Sequence, residues 1–491
     1  MIAPSLPPAY AVVVTCGSTI TSATSLTADV GPCSGAGIVI GADGTNLNCA
    51  GHTILGTGLG IGINITGHTK VTVTACHVID FNIGLYLAGS SSNTLTKNTA
   101  SNDGQYGFYL AGSSNSNKLT SNTATGNNGT GFYVTHSSTN SFTRNVASDS
   151  PVGYRLTSGS ALNNFVGNSA TSNAYGFYVD GASNNNKFSS NSAKTNSITG
   201  FYIVGSSSTT LTSNIGSSNG QGFYLSGSSS NTLSKNIAST NTNYGFYITT
   251  SSNNNKLTLN SASNNHLYGF YVTNSQNSKF TSNAAKGNLV TGYLFSYSSG
   301  NTLTSNTATS NVAYGFSFGS SPGNVLTTNK ATGNVYGFYL SSSSGNTLTK
   351  NSATKNGYYG FGIGSSASNT LTSNTATGNV AYGFLIWSSQ TNTLTSNSAS
   401  SNTAGFSFSG STGNTLNKNI ASKNSNNGFT FTSSTANILT SNTASSNKQY
   451  GISDDSTGHG TNGTGNTYVT NKCTGNGIAG SNPLGLGTPQ P

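Results

Sequence analysis

A glycine followed by an aromatic or apolar residue returns at positions 84, 107, 131, 153, 176, 200, 222, 245, 269, 292, 315, 337, 360, 383, 405, 428 and 451, always at steps of 22, 23 or 24 residues. Self-similarity at one fixed period leaves room for a repeated unit and excludes a set of unrelated folds. In most units the glycine opens a short alternating run such as Gly107-Phe108-Tyr109-Leu110, in which Phe108 and Leu110 share one face and Tyr109 takes the other. A Ser/Gly/Asn turn follows, then a second strand such as Asn301–Asn306 with an inward Leu or Phe, then a third with a small inward residue such as Ala308. Three strands and three turns within about 23 residues leave no space for a crossover helix. The spacing therefore predicts an all-β chain, a three-sided, single-stranded, right-handed parallel β-helix.

The second strand closes on Asn in every coil, from Asn98, Asn122 and Asn145 through to Asn442. Asn tolerates a left-handed corner, and stacked amides bond from coil to coil. The expected organisation is a flexible or signal-derived N-terminus over residues 1–11, an N-terminal cap over 12–45, the solenoid over 46–473 and a Gly/Pro-rich tail over 474–491. Ala9-Tyr10-Ala11 has the small-x-small form of a signal-peptidase site, without the basic and apolar regions that should precede it. No run of 18 apolar residues is present, so no helical membrane span is expected.

Only 5% of the residues are charged and glutamate is missing; eight aspartates are the acidic side chains. The net charge of +10 comes from lysines and arginines spread thinly along the chain, which predicts no specific nucleic-acid partner. The 24 Tyr and 22 Phe fall at regular intervals, which argues for a packed core rather than low-complexity disorder. Of the five cysteines, Cys16 and Cys33 are positioned to staple the N-terminal cap in an oxidising compartment. Secretion, with an extracellular, cell-surface or periplasmic destination, is expected.

The segment GADGTNLNCAGHTILGTGLGIGI at residues 41–63 and the repeated NTLTSNTATSN and YGFYL elements resemble right-handed parallel β-helix proteins of the NosD-like and pectate-lyase-like superfamily, over most of the chain. That resemblance implies the fold and leaves several functions open: carbohydrate-active enzymes of lyase, hydrolase or epimerase type, a copper-handling accessory protein, and adhesins.

Chemistry has few residues to use. Glycoside hydrolysis needs paired carboxylates, and only Asp454 and Asp455 are adjacent; with His459 they resemble the paired-Asp and Gly-His-Gly elements of polygalacturonase-like enzymes, compressed into one segment. A metal reading rests on His52, His68, His77, Cys49 and Cys76, for which the NosD resemblance implies copper. No cofactor motif is present. Outward tyrosines at equivalent coil positions, Tyr109, Tyr133, Tyr178, Tyr202, Tyr224, Tyr247 and Tyr271, offer amphipathic rings to a polysaccharide or cell-surface glycan, interrupted at Arg155; the alternative is that the rings stack on one another and stabilise the sheet. On this balance the sequence weighs against an enzyme and for a structural, adhesive or glycan-binding solenoid, with self-association end to end or side to side as a further expectation.

Overall fold

A computed structural model describes residues 13–488; the N-terminal remnant expected at residues 1–11 lies outside them. The protein is a single-stranded right-handed β-solenoid in which every coil gives one strand to each of three parallel sheets. Two compact units are distinguished, one ending at Ser197 and one beginning at Ile198.

In the first unit a representative coil consists of strands Tyr106–Ala111, Lys118–Thr120 and Thr123–Thr125. Register places like over like. Phe108, Phe132, Tyr154 and Phe177 align in the long-strand sheet, Leu119, Phe142 and Phe165 in the second, and Ala124, Ala147 and Ala170 in the third. Rings of the first column stack at 4.6 to 4.8 Å, and these side chains are essentially inaccessible. Each large side chain so buried contributes about 1.5–3 kcal/mol. The narrow interior explains the alternation of large and small columns: two columns of bulky residues fill it, and from Ala100 to Ala193 the third sheet contributes alanine, with Ile54 and Val78 in that column only in the first coils.

The second unit repeats the scheme, for instance with Tyr244–Thr249, Lys256–Thr258 and Ser261–Ser263. Its phenylalanine column runs Phe201, Phe223, Phe246, Phe270, interrupted conservatively by Tyr293, then Phe316 and Phe338.

The recurrent glycine is explained by space. A Cβ on Gly245 would lie 2.6 Å from the Gly269 carbonyl oxygen, 2.9 Å from Asn265 Nδ2 and 3.0 Å from Ala262 Cβ. The chain passes so close to the next coil that no side chain fits.

The asparagines form buried ladders. Asn145 N–H donates to Asn168 Oδ1 at 2.9 Å, while Asn145 Nδ2 donates to the Leu119 carbonyl at 2.9 Å and to Asn168 Oδ1 at 3.0 Å. The expectation that Asn itself takes the left-handed corner is corrected: the positive-φ residue is the one before it, as at Lys97 (57°), Ser121 (54°) and Arg144 (53°). Asn is needed because one amide satisfies two buried backbone groups and the neighbouring rung at once. Two further ladders escaped the sequence reading, one through Asn117, Asn140 and Asn163 and one through Asn173 and Asn196.

At the N-terminal end pairing already begins at Ser18, whose strand Ser18–Ile20 pairs with Ile38–Ile40. At the other end Tyr450–Asp454 pairs with Ala479–Asn482. Coils thus start inside the segment expected as a cap and continue past Cys473 into the segment expected as a tail. The glycine column persists at both ends, at Gly37, Gly62 and Gly480, but the residue after it is Ile38, Ile63 or Ser481 in place of the recurrent Phe. Cys16 is bonded to Cys33, as expected, and Cys49 to Cys76.

Candidate functional site

The expected tyrosines lie at outward positions of the long strands. In the first unit Tyr86, Tyr109, Tyr133, Arg155 and Tyr178 are register partners on successive coils. In the second unit Tyr202, Tyr224, Tyr247 and Tyr271 align, followed by Leu294, Ser317 and Tyr339. The tyrosines expected to bind a ligand are therefore aligned within each unit. Their faces, however, are occupied by one another: Tyr224 stacks on Tyr202 at 4.7 Å and on Tyr247 at 4.6 Å. A second set, on the residue before the glycine, joins them; Tyr106 stacks on Tyr133 at 4.6 Å and touches Tyr109 at 4.8 Å. Rings packed on both sides offer edges and hydroxyls rather than open faces, in keeping with the mutual stacking that stood beside ligand binding as a reading of these positions.

Arg155 breaks this pattern with charge. Its Nη2 donates to Asp180 Oδ2 at 2.8 Å, and its guanidinium lies 5.9 Å from the Tyr133 ring centroid and 5.1 Å from that of Tyr178. The Arg155 side chain is 36% exposed and that of Asp180 14%. Arg155 Nε and Asp180 Oδ1 are buried without a hydrogen-bond partner. Burial alone would lower the guanidinium pKa; the hydrogen bond and charge of Asp180, with the two phenols, reverse this and hold it above its ordinary value. Burial also raises the phenol pKa of Tyr133 and Tyr178, assisted by Tyr106 at the first and by Asp180 at the second. Both phenols stay protonated and able to donate. The arrangement is a fixed cation, clamped between two rings and held by a carboxylate, among neutral hydroxyls. Sequence reading treated Arg155 as an interruption; the available signal was its opposite charge to Asp180, 25 residues or about one coil away.

The other candidates do not converge. Asp454 is turned inward, in register with Phe431, and its carboxylate accepts from Ser456 N–H and Oγ, Asn466 Nδ2 and, at 2.8 Å, Tyr468 O–H. Asp455 accepts from Ser433 N–H at 2.8 Å, and His459 is exposed. Asp454 is the last residue of the strand Tyr450–Asp454 and is buried, whereas Asp455 lies beyond the strand and is exposed. Asp454 ends the apolar column and fixes the loop that follows it.

The five proposed metal donors are likewise separated. Cys49 and Cys76 are consumed in a buried disulfide. His52 Nδ1 lies 3.3 Å from Asp29, and His68 Nδ1 lies 3.3 Å from Asp43. His77 is in register with Thr53. No group of three or more His, Cys, Asp or Glu is poised for a metal among the described residues, so the donor set does not fit copper. Cys473, the remaining thiol, is buried, and burial pushes its pKa up to about 11.

The family model described as periplasmic copper-binding protein (NosD) matches residues 292–419 and 363–483. No curated protein matches the chain in sequence. Solved structures with similarity include the A-module of the Azotobacter vinelandii mannuronan C-5 epimerase AlgE6, at 14% identity over 82% of this chain and 90% of that one with a TM-score of 0.36. A point mutant of the periplasmic alginate epimerase AlgG matches at 11% identity over 80% of this chain and 78% of that one, TM-score 0.29. A point mutant of the DFA-IIIase of Arthrobacter chlorophenolicus, in complex with DFA-III, matches at 10% identity over 59% of this chain and 82% of that one, TM-score 0.36. The expectation that weighed against an enzyme is corrected by this finding, since most of these neighbours are carbohydrate-active enzymes. The family model described as right handed beta helix region matches residues 8–147, 61–216 and 200–353. It thereby spans more than half of the 491 residues, and the chain belongs to the right-handed β-helix family.

Proposed function

We propose that this chain is an extracytoplasmic, carbohydrate-active β-helix protein that grips an extended saccharide across the outward face of its first unit, at Arg155. The observation that carries the reading is the clamped cation: Arg155 is held by Asp180 and flanked by Tyr133 and Tyr178. A guanidinium fixed in this way presents its remaining N–H groups without first losing side-chain freedom, which suits it to a carboxylate or a pair of sugar hydroxyls. The protonated phenols beside it add donors, and the ring edges add apolar contact. Two disulfides support an oxidising compartment, and the NosD family is described as periplasmic.

The test is calorimetric titration of the purified protein with alginate, polygalacturonate and a neutral glucan, with product analysis of whichever polymer binds. Arg155→Ala should weaken binding about tenfold or more, the value of one or two charge-assisted hydrogen bonds. Unchanged affinity in that variant would remove Arg155 from the site and end the proposal.

A further inference from the structure

The tyrosine file of the second unit is broken where glycine stands at two outward positions. Tyr339, Gly362, Leu385, Ser407 and Thr430 are register partners, as are Ser341, Gly364, Trp387, Ser409 and Thr432. A Cβ on Gly362 would lie 2.5 Å from the Tyr359 ring, and one on Gly364 would lie 2.4 Å from the indole of Trp387. The two glycines therefore make space for large rings from neighbouring positions. Tyr359 fills the first notch and is only 5% exposed. Trp387 lies across the second and reaches back to stack on Tyr339, with centroids 5.7 Å apart and planes within 10°. Tyr359 packs against it at an angle, at 6.1 Å.

On its other side the indole meets a different surface. The next two coils present Ser407, Ser409, Thr430 and Thr432, so no ring continues the stack in that direction. Trp387 is the last ring of this file and is half-buried, with ring contacts to Tyr339 and Tyr359, whereas Tyr224 has a ring on either side. The turns after Gly364 and Trp387 border an open groove of about 350 Å³ lined by Ser344, Ser365, Ser366, Ala367, Ser388 and Gln390; Trp387 is not one of its walls but directly precedes Ser388 in the chain. That volume falls within the range of small-molecule sites. Ser365, Ser388 and Gln390 are exposed, and none of the groove residues is charged.

We infer that Trp387 and this groove form a second saccharide subsite, which takes a neutral hexose unit with its C–H face on the indole and its hydroxyls on Ser365, Ser388 and Gln390. The chemistry is that of sugar recognition in general: an aromatic plane for the apolar face of the pyranose and small polar groups for its rim. The inference rests on the reading of the chain as a saccharide binder but uses a different site, uncharged where the first is cationic.

Trp387 is the single tryptophan of the chain, so intrinsic fluorescence reports this subsite alone. Titration with maltohexaose and with cellohexaose should produce a saturable change in emission for at least one of them. Trp387→Ala should weaken that binding at least tenfold by calorimetry. Ser388→Ala combined with Gln390→Ala, exposed changes that leave the ring packing intact, should weaken it several-fold with the free-protein spectrum unchanged. If neither hexasaccharide alters Trp387 emission or gives a calorimetric signal, or if both groups of variants bind as well as the parent, the subsite is overturned. A polymer that still binds the parent and loses affinity in Arg155→Ala would then leave the first site standing.

Discussion

The two units repeat the same interior scheme, each within itself, and differ at positions where the repeat varies. In the second unit the corner ladder from Asn219 through Asn241, Asn265, Asn288, Asn311 and Asn334 is unbroken. In the first, the equivalent column begins with Asp103 above Asn127 and passes through Ser150 before Asn173. The outward file shows the same contrast: the second unit breaks its tyrosines with small or apolar residues, and the first breaks them with an ion pair. Stability in a solenoid is approximately a sum over coils and their interfaces, so departures that leave a buried carboxylate oxygen without a partner, as at Asp103 and Asp180, cost their own coils. They mark where something other than folding acts on the sequence.

The largest expected effect is at the inner departure. Asp103 is buried, receives the Phe81 N–H at 3.0 Å on Oδ1 and leaves Oδ2 without a partner. Burial chiefly, opposed by the Phe81 hydrogen bond and assisted by Asp80, pushes its pKa up to about 8. The folded protein therefore keeps this proton up to about pH 8, while the unfolded chain releases it near its ordinary value of 3.8. Between those values the unfolded state binds fewer protons, so stability falls as pH rises through the window. At about 1.4 kcal/mol per pKa unit the effect reaches a few kcal/mol. Asp103→Asn should abolish the slope and make the first unit resemble the second, as read by urea unfolding at about pH 5 and about pH 8.5.

Next comes the shared interior. Asn145→Ala and Asn283→Ala, one in each unit, each remove an amide that serves a carbonyl at 2.9 Å and the next rung at 3.0 Å. Leaving those groups unsatisfied should cost about 3 kcal/mol in either case. Clearly unequal losses in urea unfolding would break the claim that the interior is common to both units.

Asp180→Ala acts on the outer departure. Because Arg155 is partly solvated, the stability cost should stay within about 1 kcal/mol, while saccharide affinity drops about tenfold as the guanidinium loses its anchor. The smallest effect belongs to Tyr224→Phe, which keeps both stacking contacts and removes only a hydroxyl. A change beyond about 0.5 kcal/mol in stability would be unexpected for such a surface substitution.

Much of the fold was legible because its cause is periodic. Gly107, Phe108 and Ala124 recur at fixed steps, and a fixed step with three short strands admits few shapes. The extra asparagine ladders were hidden because Asn, Ser and Thr also fill the turns, and only register tells a buried Asn117 from a more accessible Asn115. The Cys49–Cys76 bond depends on which residues of neighbouring coils meet, 27 positions apart, and near the N-terminus Gly37, Gly62 and Gly84 stand at uneven steps with no phenylalanine behind them. Asp454 and Asp455 are adjacent in sequence, and only the end of the strand at Asp454 separates the buried carboxylate from the exposed one. The Arg155 site was least visible, since a single departure from a repeat looks like noise until Asp180, Tyr133 and Tyr178 are seen to close on it.

The most direct test of the account is to restore the repeat. Arg155→Tyr completes the file from Tyr133 to Tyr178, and its affinity for the polysaccharide bound by the parent protein should be measured beside its melting temperature. The account predicts a folded protein that melts within a few degrees of the parent and has lost about tenfold or more in affinity. A regularised protein that still binds as tightly as the parent would contradict the claim that function sits where the repeat is broken.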